Sequence, residues 1–229
     1  MSGRLLAIGD IHGCATALDV LLQSIDLQPD DTLVTLGDYV DRGPDTRCVL
    51  DRLIALSQTH PLVALRGNHE VMMLDARFDA RAAADWLSYG GDTTLASYGA
   101  DASQEGLAAV PAAHWDFMEK QCVASWEAET HFFVHADADP DLPLFEQPPY
   151  LLYWGRFADA KPHRSGKTMV CGHTSQKSGL PANKGFAVCI DTWAYGEGWL
   201  SCLDATSSQV WQANQAGQQR QFHLRNFPV

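Results

Sequence analysis

Apolar runs of four or five residues recur through the first third of the chain, and each gives way to a polar motif containing glycine. Arg4 to Ile8 predicts a short buried strand, which Gly9 to Gly13 then turns. Leu18, Leu21, Leu22 and Ile25 follow at helical spacing, until Pro29 and the paired acids Asp30 and Asp31 stop the helix. Thr32 to Leu36 repeats the strand pattern, Val49, Leu50, Leu53 and Ile54 mark a second amphipathic helix, and Pro61 to Leu65 predicts a third strand. This alternation favours a parallel sheet with right-handed crossovers, which sets the three polar motifs on one edge.

From Val71 to about Ala128 the spacing of alanine, leucine and tryptophan predicts a helical insertion over that edge, broken by Gly90 and Gly91. Pro111 fits the first turn of the helix that carries Trp115, Phe117, Met118 and Cys122. The tryptophans and methionines of this stretch read as core. Beyond Glu129 the pattern turns to strands: His131 to His135, Thr168 to Cys171, Phe186 to Ile190, Trp199 to Leu203 and Val210 to Gln212. Turn signals between them imply an antiparallel second sheet. Asp137 to Pro149, rich in aspartate and proline, predicts a loop.

The expected architecture is therefore α/β, with two sheets facing each other and helices outside. A chain of 229 residues, 46% hydrophobic, can bury one substantial core, so residues 1–229 are expected to form a single domain. No basic region leads into a long apolar stretch, which points to a soluble, cytoplasmic protein with no cleaved signal and no membrane partner. The six cysteines, at 14, 48, 122, 171, 189 and 202, form no CxxC pair and read as reduced thiols. Cys14 reads as a small residue packing at a helix start. A formal net charge of −12 argues against duplex nucleic acid as a partner and leaves room for a local arginine pocket.

The chemistry sits in three ordered strings: GDIHG from Gly9 to Gly13, GDYVDRG from Gly37 to Gly43 and GNHE from Gly67 to Glu70. Asp10 and His12 alternate about Ile11, so an extended chain would aim both side chains the same way. A carboxylate with an imidazole suits a divalent ion such as manganese, iron or zinc. Asp38 offers two oxygens and could bridge two cations about 3.5–4 Å apart. Asn68 adds an amide oxygen, and His135 and His173 add imidazoles after the later apolar runs. Singly, such residues are usually turn formers or satisfied polar groups; six of them at strand ends, with glycines beside them, form a specific signal. His60, His114, His131, His163 and His223 lack that framing and read as structural.

With FVHAD around His135, CGHT around His173 and CIDT from Cys189 to Thr192, these strings resemble the phosphoprotein phosphatase family of calcineurin-like metallophosphoesterases, from Gly9 to about Leu203. The size is similar to the bacterial and lambda-phage type of serine/threonine protein phosphatase. The resemblance implies two divalent metals, manganese above all, with Asp10, His12 and Asp38 on the first and Asp38, Asn68, His135 and His173 on the second. It further implies that His69 is the general acid, oriented by Asp41, and that Arg42 and Arg66 face the phosphate. Arg156 is the candidate for a further phosphate ligand, with Arg164 not excluded by spacing. The implied reaction is direct attack on a phosphomonoester by a hydroxide bridging the metals, with inversion at phosphorus.

Phosphoserine and phosphothreonine of a phosphoprotein or phosphopeptide are the expected substrates, with phosphotyrosine as an extension. The alternative is hydrolysis of dinucleoside polyphosphates such as diadenosine tetraphosphate. Bacterial symmetrical tetraphosphate hydrolases typically depart from VDRG at its aspartate and end the third motif in aspartate, whereas this chain keeps Asp41 and Glu70. A metal-holding pseudoenzyme is the third reading, and the complete motif set argues against it. Trp193 stands after IDT where many relatives have glycine; it could narrow the substrate groove or fill a gap between strands.

Overall fold

A computed structural model describes residues 3–224. Three parallel strands open the chain: β1 (Leu5–Ile8), β2 (Thr32–Thr35) and β3 (Leu62–Ala64). Helices α1 (Ala15–Ile25) and α2 (Thr46–Ser57) connect them. Their side chains alternate as a pleated strand requires. Leu6 and Ile8 of β1 pack with Leu18 and Leu21 of α1 and Val49 and Leu53 of α2, while Ala7 faces the other way, among residues of the second sheet. Burial of both faces explains why the strands read as unbroken apolar runs.

The second sheet is built on β5 (His131–Val134), β6 (Thr168–Cys171) and β8 (Ala187–Cys189), which run parallel. Short antiparallel strands, β4 (Ser125–Glu127) and β7 (Ala182–Asn183), close its two edges. Phe133 and Val170 meet Ala7, Val34 and Leu36 between the sheets, while Phe132, Val134, Met169 and Cys171 pack outward against Leu152 and Tyr153 of α7 (Pro149–Trp154). The result is two mixed sheets face to face with helices on the outside.

Four expectations change. The second sheet is parallel at its centre, because β5, β6 and β8 are joined by long crossovers instead of hairpins. The antiparallel ribbon β10 (Trp199–Asp204), β11 (Gln209–Ala213) and β12 (Gln219–His223) joins the first sheet, where β10 pairs with β1, and the two-residue β9 (Asp191–Thr192) adds to β10. The helical stretch ends before residue 128: a turn over Phe117–Gln121 closes it, Val123 bridges to Leu65 and β4 follows. Pro111 sits one position earlier than expected, as the extended residue capping α6 (Ala112–Asp116).

The remaining helices, α3 (Asn68–Ala76), α4 (Ala80–Trp86) and α5 (Asp92–Ser97), lie between β3 and α6 in the chain, with a wider π turn over Leu87–Gly91 joining α4 to α5. His114 ties this layer to α2, with its ring nitrogens 2.7 Å from the Tyr98 hydroxyl and 2.9 Å from Asp51.

At the start of β1, the buried Asp31 carboxylate receives the Arg4 backbone N–H at 2.8 Å, the Arg4 guanidinium and the Gln28 N–H at 2.8 Å. Burial opposes its ionisation, but these donors outweigh burial and hold the carboxyl below the usual range. Asp31→Ala is expected to lower stability by about 2–3 kcal/mol at neutral pH. The carboxyl is depressed in the folded state, so its contribution is present above the unfolded value of about 3.9 and is lost as pH falls through the folded value. Chemical denaturation of both forms at pH 7 and at pH 3 checks the size and the sign.

Candidate metal centre

Each strand that enters the site stops where its polar motif begins. β1 ends at Ile8 before Asp10, β2 at Thr35 before Asp38, β3 at Ala64 before Asn68, β5 at Val134 before His135 and β6 at Cys171 before His173. Ligands from both sheets therefore meet at the carboxyl ends of parallel strands, where α/β folds commonly bind ligands.

Tight backbone turns complete the gathering. His12, Asp38, Asp41, Arg42 and His173 all have positive φ, from 46° to 71°. Such conformations are costly for residues with side chains and cluster at functional sites. They also replace the expected geometry at Asp10 and His12, since a left-handed turn at His12, not an extended alternation, directs that side chain inward. Gly172 is required on the opposite wall, because a Cβ there would lie 2.0 Å from Asp10 Oδ1. Through that gap Asp10 receives the His173 backbone N–H at 3.0 Å.

Two clusters result, each with its donor atoms within 4.8 Å of one another: His12, Asp38 and His69, and Asp38, His135 and His173. Asp38 belongs to both. Its Oδ2 lies 3.4 Å from His12 Nε2 and its Oδ1 lies 3.5 Å from His135 Nε2. Asn68 Oδ1 is 2.9 Å from both His135 Nε2 and His173 Nδ1. His12 Nδ1 is 2.9 Å from the Val40 carbonyl and His135 Nδ1 is 2.8 Å from the Leu36 carbonyl. Since a carbonyl only accepts, each Nδ1 carries the proton and each Nε2 presents a lone pair. Buried acceptors thus face buried acceptors, a donor set that divalent cations satisfy.

The electrostatics agree with that chemistry. Burial pushes the His12 imidazole well below its ordinary value, and burial with the neighbouring His135 brings His173 down to about 4, so both favour the neutral, ligating form. Burial raises Asp10 well above the usual carboxylate range, reinforced by the charges of Asp191 and Asp38. Burial also opposes ionisation of Asp38, but the facing imidazoles, His135 first, overcome it and hold this carboxyl low. Cations among these oxygens would relieve the crowding of negative charge.

His69 belongs to the first cluster, its ring centre 4.7 Å from that of His12 and its Nδ1 2.6 Å from Asp41 Oδ2. Asp41 is fully buried and also receives the Trp86 indole N–H at 2.9 Å and the Thr94 hydroxyl at 2.8 Å, while its own N–H donates to Thr94 at 2.8 Å. The helical stretch therefore braces this pair. Trp86 and Thr94 read in the sequence only as apolar or neutral positions, and the π turn between them leaves no helical periodicity that links them. Glu70 reaches back from α3 to the N–H groups of Gly67, at 2.8 Å, Asp38, at 2.8 Å, and Tyr39, at 2.7 Å, locking the turn that carries Asp38.

The arginines divide. Arg42 enters the cluster, its Nη1 2.9 Å from His12 Nε2. Arg66 donates from Nε to the Met118 carbonyl and from Nη2 to those of Glu119 and Cys122, which ties the end of β3 to the helical stretch. Arg156 is exposed and paired with Asp159, but its neighbour Phe157 donates its N–H to Thr174, next to His173. Arg164 lies further away along the chain, bound to the Asp141 carbonyl.

Comparison with known proteins agrees with this geometry. The calcineurin-like phosphoesterase model matches residues 3–179, and the chain belongs to that family. Members of that family are metallophosphoesterases, which use a pair of divalent metals. Serine/threonine-protein phosphatase 1 of Salmonella typhimurium is 38% identical over 133 residues, which is 57% of this chain and 57% of that protein. A symmetrical bis(5'-nucleosyl)-tetraphosphatase of Acidovorax sp. is 43% identical over 79 residues, 34% of this chain and 27% of that protein. The chain thus spans between about a quarter and just over half the length of the curated relatives it matches. Among solved structures, a cold-active protein-tyrosine phosphatase of a psychrophile Shewanella sp. superposes with a TM-score of 0.66 at 16% identity, covering 96% of this chain and 80% of that one, a likeness of fold.

Proposed function

We propose that this protein is a phosphomonoesterase that removes phosphate from phosphoserine and phosphothreonine in proteins, with phosphotyrosine as a further substrate. The observation that carries the reading is the Asp38 carboxylate, with one oxygen turned to each of two imidazole clusters, and the Asp41–His69 pair beside it. In this reading Asp10, His12 and Asp38 hold one cation, and Asp38, Asn68, His135 and His173 hold the second, manganese being the first candidate. When bound, such a pair supplies Lewis acidity and makes water a nucleophile near neutral pH.

The chain's own residues do the rest. Asp41 accepts the Nδ1 proton of His69 and fixes the ring, so that Nε2 can hold the proton that the leaving oxygen takes. In this reading Arg42 and Arg156 meet the equatorial phosphate oxygens through charge-assisted hydrogen bonds. The free cysteines, five of the six buried, fit a reducing compartment and a cytoplasmic location.

Asp41, which anchors His69, Trp86 and Thr94, supports the protein-phosphatase reading over the nucleotide one, because symmetrical tetraphosphate hydrolases typically depart from VDRG at this aspartate. The identity to a symmetrical bis(5'-nucleosyl)-tetraphosphatase keeps diadenosine tetraphosphate as the second reading. Phosphate release from a phosphothreonine peptide and from diadenosine tetraphosphate, compared as kcat/KM on manganese-loaded protein, separates them. The peptide is expected to win, and preference for the dinucleotide transfers the chain to the second reading.

A further inference from the structure

The loop between β9 and β10 bears on the site through one residue that no motif singles out. The Tyr195 ring lies beneath the Arg42 guanidinium, 4.7 Å from its centre, and meets the His12 ring edge-on with centroids 4.9 Å apart. The loop is built to hold the ring there. Trp193 has a φ of 66°, and its carbonyl accepts the N–H groups of Gly196 and Gly198, at 3.1 and 3.2 Å. The Trp193 ring lies against Gly196, where a Cβ would come within 2.2 Å of it, and stands edge-on to Tyr195 at 6.3 Å. Trp193 therefore fills a gap within the loop, and its strained backbone turns the next aromatic residue toward Arg42.

Arg42 needs such a support. Its backbone is fixed, with a φ of 69° and its N–H on the Gly90 carbonyl at 3.2 Å, but its long side chain retains rotamer freedom. Its hydrogen bond within the site is the contact with His12 Nε2, the lone pair that a metal would take. With that contact gone, the face of Tyr195 is what remains against the guanidinium. An aromatic face attracts a guanidinium and leaves the outer edge of the fork free to meet a planar pair of oxygens.

We propose that Tyr195 is a positioning residue, which holds the Arg42 fork in the orientation that receives a phosphoryl group. The inference rests on the phosphate-binding role proposed above for Arg42. Tyr195→Phe keeps the ring and Tyr195→Leu removes it, and Arg42→Ala serves as the reference. Three quantities are measured on each: kcat/KM for para-nitrophenyl phosphate, the calorimetric affinity for inorganic phosphate, and the bound metal and Tm.

Tyr195→Phe is expected to stay near the parent protein. Tyr195→Leu is expected to lose about tenfold in kcat/KM and in phosphate affinity, with metal content and Tm unchanged. Added to Arg42→Ala, it should cost nothing more. Full activity in Tyr195→Leu, an equal loss in Tyr195→Phe, or an undiminished loss in the Arg42→Ala background each overturns the proposal. If Arg42→Ala itself is harmless, the phosphate-binding role of Arg42 falls, and the role of Tyr195 falls with it. If Arg42→Ala is damaging and Tyr195→Leu is not, the inference about Tyr195 alone is lost.

Discussion

Asp38→Asn is expected to reduce phosphatase activity on the order of 10³-fold and to leave the protein with fewer than two bound cations per chain. Asparagine is the informative replacement, because Asp38 has a φ of 51° and asparagine tolerates that conformation better than alanine. The fold is thus retained while the charge is removed. Asp38 is the residue shared by the two clusters, with its oxygens 3.4 and 3.5 Å from His12 and His135, so its loss weakens both positions at once. Substitution of a residue that serves one cluster, such as His173, should spare the other cation. Elemental analysis of the purified variants, beside their phosphate release, distinguishes the two patterns. Retention of both cations and of activity in Asp38→Asn would remove the bridging role.

His69→Asn carries the second large effect, and its signature is selectivity between leaving groups. An alkyl oxygen leaves poorly without a proton, whereas an aryl oxygen with an acidic conjugate acid leaves with little help. The variant should lose roughly 10²–10⁴-fold on a phosphoserine peptide and much less on para-nitrophenyl phosphate. Burial opposes protonation of this imidazole, but Asp38 and then Asp41 outweigh it, and its affinity for a proton is raised, as an acid at this place requires. Equal losses on the two substrates would mean that His69 acts in some other way, for instance by holding the turn around Asp41.

The parts of the fold that were legible are those governed by local pattern. β1 and β2 are buried on both faces and β3 is half-buried at the sheet edge, so each appears as an apolar run, and the ligand candidates follow directly where those runs end. What local pattern does not encode is which strand pairs with which. β5, β6 and β8 carry the same apolar signature whether parallel or antiparallel, and their partners are set by long crossovers between them. The ribbon from β10 to β12 likewise gives no local sign that it belongs to the first sheet. Strand β12, Gln219–His223, is mostly exposed and polar, so it lacks the alternation that would have marked it.

The same division holds for the site. Asp10, His12, Asp38, Asn68, His135 and His173 stand in short strings with chemistry visible in their residue types. Trp86, Thr94 and Tyr195 act through tertiary contacts: an indole N–H on Asp41, a hydroxyl on Asp41 and a ring beneath Arg42. Nothing in their immediate neighbours distinguishes them from packing residues. Arg66 shows the converse, a residue inside a functional string whose Nε and Nη2 also tie it to the carbonyls of a helical turn.

The central claim is that two cations, held by clusters sharing Asp38, are needed for phosphate release. It is tested most directly by adding manganese in known amounts to chelator-treated protein while following phosphate release from a phosphothreonine peptide. Activity absent without metal and rising to a plateau at two equivalents per chain is the expected result. Full activity in metal-free protein, or a plateau reached at one equivalent, would contradict the account.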